Sequence, residues 1–99
     1  MRVIADLIEV IDEELEGAKR YAEMYVEAKS NNDMNWSNKF KEMANNELQH
    51  ALNIHDYTIQ KIDAIKRVYT APVEMQEKWD IEHKRYIEKT GWIKQMLSM

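Results

Sequence analysis

The chain has 99 residues, of which 32% are charged, with a formal net charge of -4 and no cysteine. This length suits one small domain with one core. The mild, mixed charge argues against a nucleic-acid-binding protein, whose surface would be strongly basic. Disulfides and thiolate metal sites are excluded. Two glycines and one proline leave few turns, and the abundance of good helix formers predicts an all-α fold.

The start of the chain, residues 1–11, is apolar enough to suggest a signal peptide. Asp6 and Glu9 interrupt it, however, and the acidic run 12–14 follows directly, so we predict no leader. No apolar run approaches the length that spans a membrane. Together with the absence of cysteine, this indicates a cytoplasmic protein that binds no membrane.

The first predicted helix covers about residues 3–29, and its apolar positions step by four and three. This seam consists of Leu7, Ile11, Glu14, Ala18, Tyr21, Tyr25 and Ala28. Glu14 is the one charged residue on it. Gly17 lies one turn farther along, where it costs about 1 kcal/mol of helix stability relative to Ala. Either a helix or ligand comes close at Gly17, or the glycine is tolerated on the surface.

A second helix is predicted over about residues 34–68, after the break Ser30–Asp33, in which any of the last three residues could cap it. The short linker makes the two helices an antiparallel hairpin. The seam of this helix consists of Trp36, Phe40, Met43, Glu47, His50, Ile54 and Tyr57. Its length suggests a bend within residues 58–70. His55 lies on an adjacent face, and we predict that it is half-buried or on the surface.

The third predicted helix covers about residues 73–97 and follows a second break, Tyr69–Pro72. Pro72 suits the first turn of a helix, where a missing amide hydrogen costs little. The apolar stripe of this helix consists of Met75, Trp79, Glu82 or His83, Tyr86, Ile93 and Leu97. The prediction is therefore a single domain, residues 1–99, that forms an antiparallel bundle of a long helical hairpin and a third helix.

Three polar residues share the two hairpin seams. They are Glu14 on the first helix and Glu47 and His50 on the second, and the last two lie on one helix face because they are three residues apart. Two carboxylates and one imidazole suit iron, manganese or zinc. Dinuclear carboxylate sites in helix bundles use a lone Glu from each of two helices and a Glu-x-x-His from each of two others. One chain carries half of this set, so a homodimer with a twofold axis would complete it.

The segments Glu14-Leu15-Glu16-Gly17-Ala18-Lys19-Arg20-Tyr21 and Glu47-Leu48-Gln49-His50 resemble one half of a ferritin-like or rubrerythrin-like di-iron protein. The chain is similar to encapsulated ferritins, in which the iron site forms between two subunits, and to short ferritin-like proteins of bacteria and phages. The resemblance covers the first two helices. It implies that Glu14, Glu47 and His50 are iron ligands with Tyr21 nearby, and it leaves open whether the iron is oxidised, as in a ferroxidase.

Two alternatives stay open. If His83 faced inward, one chain could gather Glu14, Glu47, His50 and His83 around a single zinc ion. The three seam residues could also be satisfied without metal, with Glu14 bonded to His50 and with Lys41 reaching in. The protein would then be a helical interaction module, phage- or prophage-encoded, that dimerises and binds another protein, since its many Trp, Tyr and Met residues are types favoured at interfaces.

Overall fold

Three helices form a bundle in the computed structural model, which describes residues 2–70 and 72–99. The helices are α1, Arg2–Ser30, α2, Met34–Val68, and α3, Val73–Leu97. The predicted all-α bundle and its helix positions are confirmed. Within the predicted break Tyr69–Pro72, Ala71 lies outside the described residues, as does Met1. In the described part of the chain, no helix combines the length and the apolar character that crossing a membrane requires.

A tight turn joins α1 to α2 and makes them antiparallel. Asn32 has a positive φ of 59°, a conformation that asparagine tolerates better than most residues. Asp33 then caps α2, because its carboxylate accepts a hydrogen bond from the backbone N–H of Trp36 at 3.3 Å. α2 continues to Val68 as one helix, although the Thr58 hydroxyl donates to the carbonyl of Ile54.

The core between α1 and α2 is built largely from small side chains, which let the two helices pack closely. The fully buried residues include Ala18 and Ala22 on α1 and Ala44 and Ala51 on α2. Larger side chains fill the region under α3, and they include Ile4, Ile11, Leu15, Met75, Trp79, Ile93 and Leu97.

The seam of α2 was predicted to face the core, and this prediction was wrong. Trp36, Met43, His50 and Tyr57 are exposed. The buried residues of α2 lie on the neighbouring face and are Ser37, Ala44, Leu48, Ala51, His55, Thr58 and Ile62. The predicted seam of α1 lies only partly in the core, since Ile11 is buried whereas Glu14 is half-buried. The buried face of α2 consists mostly of small and polar residues, so the positions of the large apolar residues in the sequence did not indicate it.

α3 runs parallel to α1 and antiparallel to α2. Arg85 lies 3.6 Å from Asp12, and Lys89 lies 3.1 Å from Glu16. The residue numbers of α1 and α3 therefore increase in the same direction along their contact. Residues two apart on a helix point in nearly opposite directions, about 200° from each other. Glu14 therefore points away from the side of α1 that α3 covers.

The hairpin consequently keeps one side that α3 does not cover, which we call the open face. It carries apolar side chains that are half-buried or exposed: Val10, Tyr21 and Met24 on α1, and Phe40, Met43, Ile54 and Tyr57 on α2. Together with Glu14 and Gly17 on α1 and Glu47 and His50 on α2, they step by three and four residues, the pattern of a helix face that packs against another helix. Glu14, Glu47 and His50 lie in the middle of these two rows.

Candidate metal centre

The three predicted site residues come together on the open face. Each of Glu14, Glu47 and His50 offers one donor atom, and these atoms lie within 4.8 Å of one another. The His50 Nδ1 atom is 3.5 Å from Oε2 of Glu14 and 3.6 Å from Oε1 of Glu47. Among the described residues, this is the one group of three or more such side chains that could hold a metal ion.

Helix geometry explains the convergence. Glu47 and His50 are three residues apart, so they point from α2 in nearly the same direction. The antiparallel turn sets Glu14 of α1 opposite them. Gly17, one turn from Glu14, leaves room for the second carboxylate, since a Cβ atom at this position would lie only 3.0 Å from Oε2 of Glu47. Of the two interpretations of Gly17, the close approach is correct, and the group that approaches is the Glu47 carboxylate.

Glu14 changes the proton affinity of Glu47. A hydrogen bond to Glu14 raises the pKa of the Glu47 carboxyl above its ordinary value, and partial burial and the negative charge of Glu14 add to this rise. The imidazole of His50 acts in the opposite direction. The two carboxylates of Glu14 and Glu47 therefore lack a positive charge to neutralise them fully, and either a shared proton or a bound cation can provide it.

The centre is open to solvent, in contrast to the burial that the seam pattern suggested. The side chains of Glu14, Glu47 and His50 keep 28%, 27% and 55% of their accessible surface, respectively. Two carboxylates and one imidazole provide fewer donors than a six-coordinate iron or manganese ion requires. One chain thus offers part of a coordination sphere on an accessible surface.

No protein-family model, curated protein or solved structure matches this chain. Its function is therefore inferred from the positions and chemistry of its own side chains.

His83 is not part of the centre. Its Nδ1 atom lies 2.8 Å from Nε2 of His55, a contact between α2 and α3. The structure therefore does not assemble the single-chain set of Glu14, Glu47, His50 and His83. The prediction for His55 was wrong, because this residue is buried and only 4% exposed. Its spacing from the buried positions Ala51, Thr58 and Ile62 is the helical signal that could have shown this.

Lys41 does not supply a counter-charge to the centre. Its ammonium group lies 5.7 Å from the centroid of the Tyr25 ring, at cation–π distance. Within the described residues, the basic group that approaches Glu14 and Glu47 is the imidazole of His50.

A second acidic pair lies on the other side of α1 and was not predicted as a pair. Glu82 of α3 is 2% exposed, and burial, followed by a hydrogen bond to Asp12 and the charge of Asp12, raises its pKa to about 8. Arg85 opposes this shift from 3.8 Å. Oδ1 of Asp12 and Oε1 of Glu82 lack a donor when both carboxyls are ionised. One proton on Glu82 provides that donor, so this pair is satisfied as an acid and a carboxylate.

Proposed function

We propose that this chain is a ferritin-like metal-binding protein whose residues Glu14, Glu47 and His50 form half of a di-iron carboxylate site. The observation that carries the proposal is the convergence of these three donors within 4.8 Å on the open face. The same three residues carry the resemblance to half of a ferritin-like protein. Iron is the first choice of metal, and manganese and zinc are the alternatives.

The environment of the carboxylates fits a cation. A hydrogen bond to Glu14 and the charge of Glu14 raise the pKa of Glu47, so the ionised form of Glu47 is destabilised beside Glu14. A divalent ion would relieve this repulsion more fully than a proton does. The gap left by Gly17 matters here, because it allows the Glu47 carboxylate to lie against α1 beside Glu14.

A second copy of the chain is the partner that completes the site. Two half-sites related by a twofold axis supply four carboxylates and two imidazoles, the donor set of a dinuclear site in a helix bundle. The apolar rows of the open face support this pairing, since they would be buried around the metal. In the paired state Glu14 and Glu47 would hold or bridge the ions, and His50 would bind as a terminal nitrogen ligand.

Fe(II) binding is the core of the proposal, and oxidation of the bound iron by oxygen or peroxide is its enzymatic extension. A resident iron pair would supply the redox chemistry. The chain would contribute anionic ligands that stabilise the higher oxidation state and a site from which the apolar side chains exclude bulk water.

Elemental analysis and solution molar mass test the proposal directly. Protein purified without chelator and supplied with Fe(II) anaerobically should be a dimer with about one iron per chain, the ratio of one dinuclear site shared by two subunits. Glu47→Gln should lose the metal and weaken the dimer. Glu13→Gln is the matched control, because it also removes one carboxylate charge and Glu13 is the exposed neighbour of Glu14 on α1. A monomer that takes up no Fe(II), Mn(II) or Zn(II) would refute the proposal.

The open face also supports a second candidate function, a metal-free helical interaction protein. Its apolar rows suit another helix whether or not a metal lies between them, and His50 already contacts both carboxylates. The double substitution Glu47→Leu and His50→Leu separates the two functions. Association that persists or strengthens without metal would favour the interaction protein, whereas loss of both metal and association would favour the metal site.

A further inference from the structure

The contact between α2 and α3 contains a pair of hydrogen-bonded histidines. Nε2 of His55 on α2 lies 2.8 Å from Nδ1 of His83 on α3. The His55 ring stacks on Tyr86, with centroids 4.1 Å apart, and also contacts Trp79 at 5.0 Å. His55 and Trp79 are buried and His83 is exposed. The pair thus joins the third helix to the middle of the hairpin, at a point that solvent protons reach from the His83 side.

The bond between the two rings depends on their protonation. An imidazole nitrogen donates when it carries a hydrogen and accepts when it does not. The contact forms when both rings are neutral, and it also forms when one ring is charged and donates. When both rings are charged, each facing nitrogen carries a hydrogen, so two donors and two positive charges meet at a distance of 2.8 Å. The doubly protonated pair is therefore incompatible with this packing.

The other charged or titratable groups around the pair do not remove this conflict. On α2, Oδ1 of Asp56 lies 3.7 Å from Nδ1 of His55, which is outside hydrogen-bond distance, and the Asp56 side chain is 60% exposed. From α3, Tyr86 faces His55 with its ring. On the α1 side of α3, the charged groups are Glu82, Asp12 and Arg85, followed one turn farther along by the Lys89–Glu16 pair. Glu82 is already protonated below neutral pH and contributes no new charge there.

We propose that His55 and His83 form an acid-sensitive switch that releases α3 from α2 when both rings are protonated. Release would leave the α1–α2 hairpin helical, because the alanine-rich contact between those two helices contains neither ring. It would expose Trp79, whose ring contacts His55, while the contacts of α3 with α1, which include Arg85–Asp12 and Lys89–Glu16, contain neither ring and would keep α3 on the hairpin. This inference concerns the side of the hairpin away from Glu14, and it holds whether or not the open face binds metal.

The direction of the effect follows from proton linkage. Burial, and then the charge of His83, lower the pKa of His55 below its ordinary value of 6.5, while Asp56 opposes the shift. The released or unfolded state consequently binds protons more readily than the docked state. Docking is fully stabilised above the ordinary histidine pKa and is lost as the pH falls through the lower folded value. For each proton taken up, the equilibrium constant for release rises about tenfold per pH unit.

The test uses Trp79 as the reporter in the full chain. Trp36→Phe and Trp92→Phe leave Trp79 as the one tryptophan, since the chain contains three. Acrylamide quenching of Trp79 and far-UV circular dichroism are recorded from mildly alkaline to mildly acidic pH, with EDTA present so that the metal centre stays empty. We expect quenching to rise steeply below the ordinary histidine pKa while most of the helical signal persists.

His83→Gln in the same background is the decisive variant. Glutamine can donate and accept a hydrogen bond but takes up no proton, and position 83 is exposed, so the fold tolerates the change. The rise in quenching should disappear or move to markedly lower pH. Lys84→Gln is the matched control, because Lys84 is the exposed neighbour of His83 on the same helix, and its quenching curve should follow that of the parent.

Two results would overturn the proposal. One is an unchanged acid transition in His83→Gln. The other is a Trp79 that stays protected at a pH where the nitrogen chemical shifts of both rings, read by NMR on the unsubstituted chain, show full protonation. This second measurement needs no variant, so a folding defect in His83→Gln would not leave the switch untested.

Discussion

Gly17→Ala should have opposite effects on the stability of the metal-free chain and on metal binding. Gly17 lies inside α1, where alanine is favoured over glycine by about 1 kcal/mol. The added methyl group would lie 3.0 Å from Oε2 of Glu47, a separation that the end of a flexible side chain relieves by moving a few tenths of an ångström. The metal-free variant should therefore be more stable than the parent by somewhat less than about 1 kcal/mol.

Metal binding should move the other way. The methyl group displaces one of the two carboxylates from the position that faces Glu14 and His50, and loss of support for a ligand typically weakens metal affinity by roughly ten- to a hundredfold. A tenfold loss lowers the stabilisation that saturating metal provides by about 1.4 kcal/mol. This is at least as large as the gain in helix stability, so the advantage of the variant should vanish or reverse when metal is added.

Thermal unfolding in EDTA and in excess Fe(II) or Mn(II) measures both effects. Gly91→Ala is the matched control, since Gly91 also lies within a helix and a Cβ atom there would meet nothing within 4 Å. It should stabilise the chain equally with and without metal. The reasoning would be refuted if Gly17→Ala behaved like Gly91→Ala, with the same gain in stability in both conditions and unchanged metal affinity.

Three further predictions concern proton uptake and capping. Glu82→Gln should flatten the pH dependence of stability. Buried Glu82 keeps its proton to about pH 8, whereas the same group in the unfolded chain ionises near 4.5. The free energy of unfolding of the parent, measured in urea, should therefore fall between these pH values by up to about 1.4 kcal/mol per pH unit. Glu14→Gln should lower the pKa of Glu47 towards its ordinary value, which a carboxyl carbon NMR titration would show. Asp33→Ala should cost about 1 kcal/mol in urea unfolding by removing the cap of α2.

The sequence predicted the helices well because local chemistry defines their ends. The run Ser30–Asp33 prefers turn and cap conformations, and Pro72 suits the start of a helix, so the boundaries of α2 and α3 follow from neighbouring residues. The three donors of the candidate site were also predictable. Glu47 and His50 share a helix face by their spacing, and a short antiparallel turn brings Glu14 opposite them.

The faces that these residues occupy were harder to predict. Large apolar residues such as Trp36 and Met43 suggested the core, yet α2 buries small and polar residues instead, among them Ser37 and Thr58. The hydroxyl groups of Ser37 and Thr58 bond to carbonyls of their own helix, which makes them compatible with burial. The pairing of Glu82 with Asp12 depends on how α3 is rotated about its axis, and no local pattern determines that rotation.

The exposure of Glu14, Glu47 and His50 has a consequence for how the proposed site would respond in a cell. A site enclosed by one chain binds metal with an affinity that does not depend on the amount of protein. When the ligands come from two molecules, the binding equilibrium includes association of the two chains. The fraction of sites that hold metal would therefore rise with the concentration of the protein as well as with that of the metal. Dilution would release the ions, and metal would hold the pair together. Synthesis of more chain would thus increase both the number of sites and the avidity of each.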